Sequence, residues 1–537
     1  MGMNSKTLTT NAISLCFLGL LAMTCSASDQ RPNVLMIIVD DLAPVGTSFG
    51  GPVSLPSLEA LAQRGISFNN NYANVPVCGA SRASMMSGLA PTSTRFLTFD
   101  SQLDQDAPGT PSLPAFFREQ GWHTAASGKI FDVIADSQDS WSEPVWSPES
   151  QWHGKKPDHR GEHLQAAYLE PFTSNRFPYA EKLAVEDDAY PDGQVASKAI
   201  ADLQRLAKRD EPFFLAVGFR KPHLPFNAPD RYWVEESSVD SLPPTWGQTD
   251  TNVPLEFAGH PSLELRMQYD ALPLFGEPDA AEAADIVAAY HAAARYADAQ
   301  VGRVLLALQE SDAANQTIVV VMGDHGFMLG HYQMWTKHAL FEPALRTPLI
   351  IADPRLSGSA SVSAVTDLLD VYPTLVDLAG LQLPDHLDGK TLRPLLENPS
   401  LTERTDKTAS ISRWLNGESV RDHQYRYTRW FDEDNNTLAE MLFDLWNDPI
   451  ETNNLAGELL VSDKVEQLRD QLLENRQGPV WSEALDAMVS QMKLITSPAG
   501  NIIIAAIAYP MIAGLIALAL LGGIAWLTWL GLRSRSR

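Results

Sequence analysis

An α/β layered fold, with a large, mostly parallel sheet flanked by helices and a smaller C-terminal α+β subdomain, is predicted from three features of the chain. Two short runs, "NVLMIIV" and "TIVVVMG", are almost wholly apolar, as strands covered on both faces must be. Helical and strand-like segments alternate repeatedly around them, the pattern of a sheet flanked by helices. From residue 384 the character changes to aromatic-rich segments, "YRYTRWF" and "EMLFDLW", followed by a charged helical stretch.

Taken in order, "NVLMIIV" forms a strand that runs directly into Asp40 and Asp41. "SLPSLEALAQRG" predicts a helix closed by Gly65. "SLPAFFREQGWHTAASGKI" reads as helix, turn and strand, with Lys129 near the end. Residues 132–180 are rich in Trp, Ser, Pro and Gly and predict a long surface excursion. "VASKAIADLQRLAKRDEPFFLAVGF" is again helix then strand, and residues 282–311 predict a long alanine-rich helix. That helix delivers the chain to "TIVVVMGDHG", whose strand ends at Asp324 and His325. "TPLIIAD" is a further strand, "DLLDVYPTLVDLAGL" a helix, and residues 462–475 a charged helix.

The two ends carry targeting signals. Residues 1–27 hold Lys6, an apolar run and then small residues, which predicts a cleaved signal peptide and an exported body. Residues 502–532 contain no charge and are followed by "RSRSR" at 533–537. This predicts a transmembrane or sorting segment with a basic cytoplasmic tail, holding the protein at the periplasmic or extracellular face of a bacterial membrane. Between the ends, the expected organisation is a catalytic domain over residues 28–383, a subdomain with a small sheet over 384–485 and a linker over 486–501. The formal net charge is −26. Such a surface repels nucleic acid, so any anion site must be a local basic pocket in an acidic body. Of three cysteines, Cys16 and Cys25 lie in the leader. The exported body keeps only Cys78 and can form no internal disulfide.

Adjacent carboxylates at a strand end repel each other, and a divalent cation relieves that repulsion. Asp40 and Asp41 after one predicted strand, with Asp324 and His325 after another, suggest one such ion. Oxygen-rich ligands favour Ca²⁺ or Mg²⁺ over soft metals. In parallel sheets, ligands gather at the carboxyl ends of strands. Arg82 follows Cys78 by four residues, which on a helix places both on one face. Lys129, His223 and Lys337 each follow a predicted strand. With a metal, these cations outline a pocket for a tetrahedral oxyanion. Cys78 is the candidate nucleophile, with Arg82 lowering its pKa. A merely packed thiol is the plainer alternative, and a bare thiolate is a soft nucleophile beside a hard ion.

The segment "CGASRASMMSG" resembles the signature of the type I sulfatases, C-x-P-S-R followed by T-G. "NVLMIIVDDL", "GKIF", "KPHLPF", "GDHGFMLGHYQMWTKH" and "LFDLWNDPIETNNLA" follow in that family's order, so the resemblance covers residues 31–456. It is nearest to the iduronate-2-sulfatase group, with an alkaline-phosphatase-like core. The resemblance implies that a separate maturation enzyme converts Cys78 to formylglycine, whose hydrate attacks sulfur and later eliminates sulfate. It implies Asp40, Asp41, Cys78, Asp324 and His325 around one Ca²⁺, and Arg82 and Lys129 stabilising the hydrate and the bound sulfate. It further implies that Lys337 binds sulfate, that His223 stands near the leaving oxygen, and that the substrate is a sulfated carbohydrate. Three positions depart from the pattern: Ala80 where Pro is usual, Ser87 for Thr, and Asp132 where the iduronate-type motif has His. Two other readings stay open: a phosphate or phosphonate monoester hydrolase of the same superfamily, and a catalytically inactive, membrane-held carbohydrate-binding protein.

Overall fold

The computed structural model describes residues 31–148 and 177–475, except 235, 236, 249, 275 and 357, together with 480, 481 and 486. A seven-stranded sheet forms its centre. Its strands are β1 (Asn33–Val39), β2 (Ile66–Phe68), β3 (His123–Gly128), β4 (Phe213–Phe219), β5 (Thr317–Gly323), β6 (Leu349–Ala352) and β7 (Ala360–Val362). The spatial order is β7-β2-β6-β5-β1-β4-β3. β3, β4, β1 and β5 pair in parallel, while β6 runs against both β5 and β2. The sheet is therefore mostly parallel, as expected, with "TPLIIAD" supplying its one reversed strand.

The apolar runs have a direct packing cause. Alternate residues of a strand face opposite sides. Leu35, Ile37 and Val39 of β1 join one core with Leu58 and Leu61 of helix α1 (Pro56–Ala62). The same core takes Val195 and Ala199 of a helix at Pro191–Leu206, and Ile286 and Val287 of one at Ala280–Gln309. Val34, Met36 and Ile38 enter a second core on the other face. There they meet Ala83 and Met86 of helix α2 (Cys78–Ser87), Phe117 of α3 (Leu113–Glu119) and Leu375 of a helix at Val371–Leu378. In chain order the three later helices are α4 (Pro191–Leu206), α5 (Ala280–Gln309) and α6 (Val371–Leu378). α5 opens with a capping box: the Asp279 carboxylate accepts from the Ala281 and Glu282 amides, and Glu282 accepts from the Asp279 amide.

The C-terminal subdomain is an antiparallel meander of β8 (Ser410–Trp414), β9 (Gly417–Arg421), β10 (Tyr425–Phe431) and β11 (Thr437–Asp444). One face carries Val420, Tyr427 and Leu442 against Val465, Leu468 and Leu472 of α7 (Ser462–Glu474). The other packs Trp430, Met441 and Phe443 on Met328, Phe341 and Ala344 of the larger domain.

Two sequence expectations change. α1 ends at Ala62, ahead of Gly65. The described part of the 132–180 excursion is not wholly superficial, since Trp141 and Ser140 are buried.

The membrane reading is corrected. Among the described residues no helix is long and apolar enough to cross a membrane. The longest, α5, has 30 residues but carries Glu282, Asp285, Arg295, Asp298 and Arg303, and one face packs on the sheet. A transmembrane helix, a membrane partner and an anchored localisation are therefore not carried further. The expected leader at 1–27 and the segments at 502–532 and 533–537 lie outside the described residues.

Candidate active site

Residues from the four contiguous parallel strands β3, β4, β1 and β5 and from one helix N-terminus meet at the carboxyl edge of the sheet. Asp40 and Asp41 follow β1, Asp324 and His325 follow β5, Lys129 follows β3, and Cys78 is the first residue of α2. His223 lies in the loop after β4, and Lys337 closes the short strand segment Trp335–Thr336. Asp40, Asp41, Arg82, Asp324 and His325 are each 0% exposed.

The two acids after β1 are separated by backbone geometry. Asp41 adopts φ 59°, a left-handed conformation that is uncommon outside glycine. Tyr290 of α5 holds this turn: its hydroxyl donates to the Asp41 carbonyl (2.6 Å) and accepts from the Ala43 amide (2.8 Å). The Asp41 amide donates to Asp324 Oδ1 (3.0 Å), so residues 283 positions apart are tied backbone to side chain. Each of two triads, Asp40–Asp41–Asp324 and Asp41–Cys78–His325, places its ligand atoms within 4.8 Å of one another.

The imidazole of His325 is oriented for ligation. Its Nδ1 donates to the Gly326 carbonyl (3.0 Å), which leaves the lone pair on Nε2. That nitrogen lies 3.3 Å from Cys78 Sγ and 3.5 Å from Asp41 Oδ1. Three buried carboxylates and an available imidazole nitrogen form a donor set that suits a hard divalent cation.

Arg82 sits on the face of α2 that carries Cys78, as the four-residue spacing requires. Its Nε donates to Asp324 Oδ2 (2.8 Å) and one terminal nitrogen to Asp40 Oδ1 (3.0 Å). The other donates to the Lys129 and Ile130 carbonyls. Lys129 Nζ meets Asp40 Oδ2 at 2.7 Å and Asp132 Oδ1 at 2.8 Å. Gly128 and Gly218 are partners across β3 and β4. A Cβ at Gly218 would stand 1.9 Å from the Lys129 carbonyl oxygen, so this crossing requires glycine.

On the far side, Lys337 Nζ lies 3.3 Å from Asp41 Oδ2 and donates to His223 Nε2 at 2.9 Å. His223 Nδ1 donates to the Leu224 carbonyl (2.9 Å), so Nε2 is the acceptor. Burial, and then the Lys337 charge, hold His223 well below the ordinary histidine pKa, so it is neutral at rest. Burial pushes Asp40 up, but Lys129 and Arg82 outweigh it and hold that carboxyl well below the usual range. Burial dominates at Asp41, pushing it up to about 6 against the pull of Lys337 and His325. Burial, then the Asp40 carboxylate, push the Cys78 thiol well above its ordinary pKa. The expectation that Arg82 activates this thiol is therefore not met.

All ten candidate residues, Asp132 included, come together in this one cluster. Three participants were not singled out from sequence. Tyr290 is hidden in an alanine-rich helix. Glu264 approaches Lys337 (3.4 Å) and His223 (3.7 Å) from a segment without strand or helix periodicity. Asp192 accepts from the Arg220 and Lys221 amides and so shapes the loop bearing His223.

Comparison with known proteins gives a consistent picture. The family model described as sulfatase matches residues 32–381, and one described as N-sulphoglucosamine sulphohydrolase, C-terminal, matches residues 330–478. The chain is 29% identical to iduronate 2-sulfatase of Homo sapiens over 79% of its own length and 91% of that protein. It is also 29% identical to choline-sulfatase of Rhizobium meliloti, with 85% of each chain covered. Among solved structures, the phosphonate monoester hydrolase of Silicibacter pomeroyi superposes with a TM-score of 0.65 at 22% identity. That alignment covers 83% of this chain and 95% of that one, and at this identity it speaks to fold alone.

Proposed function

This chain belongs to the sulfatase family, within the alkaline-phosphatase-like superfamily, and we propose that it removes sulfate from a sulfated carbohydrate, using formylglycine made from Cys78 and one bound Ca²⁺. It is an enzyme of the sulfatase type. The observation that carries the finer reading is the convergence of Cys78, the acid–imidazole cluster and two buried lysines on one point.

Asp40, Asp41, Asp324 and His325 would hold the cation, whose positive charge polarises a sulfate oxygen when bound. The thiol itself is poorly suited to attack. It is 4% exposed, and burial beside Asp40 disfavours its thiolate. Oxidised to an aldehyde by a maturation enzyme, position 78 supplies instead an oxygen nucleophile that can later expel sulfate. Its place as the first residue of α2 adds the favourable field of a helix N-terminus for an anionic group.

Lys129 and Lys337 bracket the site and supply fixed cations for the sulfate oxygens. Arg82 is engaged with Asp40, Asp324 and two carbonyls, so its main work is to hold the metal-type carboxylates in place. Lys337 and His223 share a proton that can reach the departing alcohol oxygen.

The reading is tested with enzyme matured in its own host, by parallel assays of 4-nitrophenyl sulfate and 4-nitrophenyl phosphate. Faster sulfate release supports it. Faster phosphate release would assign the site to phosphate esters instead.

A further inference from the structure

The basic side chains of the site are closed to solvent or nearly so, whereas two acids beside them are not. The side chains of Lys129, Lys337 and His223 are 1%, 5% and 6% exposed. Asp132 and Glu264 are each 24% exposed. Asp132 touches Lys129, which in turn holds Asp40. Glu264 touches Lys337, which in turn holds Asp41. The two carboxylates therefore flank the site from its two lysine sides and are the acids of this cluster that reach solvent.

From this arrangement we infer that Asp132 and Glu264 form a carboxylate rim that selects the alcohol part of the substrate, favouring neutral and cationic groups over those bearing a carboxylate. The inference rests on the sulfatase reading and narrows its substrate class.

The sulfate itself is served by the buried lysines and the cation site. The alcohol part, lying outward of the sulfate, meets Asp132 and Glu264. Burial works against ionisation of Asp132, but Lys129 overcomes it and holds the carboxyl below its ordinary pKa, so it is charged near neutrality. A uronate carboxylate brought alongside would meet like charge in a partly desolvated place, where repulsion is weakly screened. Hydroxyl groups would instead donate to these oxygens, and a cation would be attracted. The net acidity of the chain, −26, reinforces the same preference over longer range. Discrimination built from repulsion is an ordinary route to specificity.

The test uses three aryl sulfates that differ in one meta substituent: carboxylate, carboxamide and trimethylammonium. kcat/KM for each is measured on the parent enzyme and on Asp132→Asn, Glu264→Gln and the double variant. Leaving-group differences cancel when each variant's ratios are divided by the parent's. Losses of folding or maturation affect all three esters alike and cancel too. The expected result is a rise of about tenfold or more in the carboxylate-to-carboxamide ratio in the double variant, with a fall in the trimethylammonium-to-carboxamide ratio. Ratios unchanged within about twofold would overturn the inference while leaving the sulfatase reading intact. Release of phosphate, but of no sulfate, from matched aryl esters would remove both.

Discussion

Lys337 joins the two sides of the site, since its ammonium contacts both Asp41 and His223. Lys337→Ala removes a fixed cation and the donor to His223 together. Its kcat on an aryl sulfate is expected to fall by about 10²–10³-fold, the scale of losing one oriented electrostatic group. Peptide mass spectrometry should still find residue 78 oxidised, which separates failed chemistry from failed maturation; undiminished kcat would refute the role. Asp41 makes a second prediction. Its carboxyl is pushed up to about 6 by burial and must lose its proton to ligate a cation. Protonation is the competing reaction, so Ca²⁺ affinity should strengthen as pH rises through about 6. Calorimetric titration near pH 5 and near pH 7.5 should show the weaker Kd at the lower value. Equal affinity at both would contradict this account of Asp41.

At the scale of elements, the site depends on turns held by a distant helix. Tyr290 of α5 bonds both sides of the left-handed Asp41 turn. Tyr290→Phe leaves a buried carbonyl and amide without that partner and should cost about 1–3 kcal/mol in urea denaturation, with weaker Ca²⁺ binding. A variant of unchanged stability and affinity would show that the turn holds itself. The elements also show how far the sequence could be read. β1, β5 and α5 could be read because their apolar patterns are long and each has one packing cause. Asp40, Asp41, Asp324 and His325 could be placed because they end such strands. Glu264 could not, since it opens a five-residue π-helical turn too short to leave a periodic pattern and approaches Lys337 only through the tertiary fold. Nor could the reversal of β6, because periodicity carries no strand direction. β8 and β9 were missed for a related reason: their polar residues, Arg413, Glu418 and Arg421, are buried by ion pairing and so mask the strand pattern.

Across the whole molecule, the C-terminal sheet and the larger domain are joined by charge as well as by apolar packing. Glu342, five residues beyond Lys337, accepts from Arg421 (3.0 Å), Arg426 (2.9 Å) and Tyr72 (3.0 Å). The surrounding arginines outweigh burial and hold Glu342 down at about 2. Glu342→Ala removes the carboxylate that two buried arginines share, which should cost about 3–5 kcal/mol in a urea-denaturation measurement. A loss below about 0.5 kcal/mol would mean the apolar contact alone unites the two sheets. The same junction ends at the loop carrying Lys337, so the small sheet supports the catalytic edge of the large one. All of this architecture converges on one position whose chemistry decides the account. The most direct measurement is mass spectrometry of the peptide spanning residue 78 from active enzyme matured in its own host. The expected peptide has the thiol sulfur replaced by an aldehyde oxygen. Fully active enzyme with an intact thiol at position 78 would contradict the proposal.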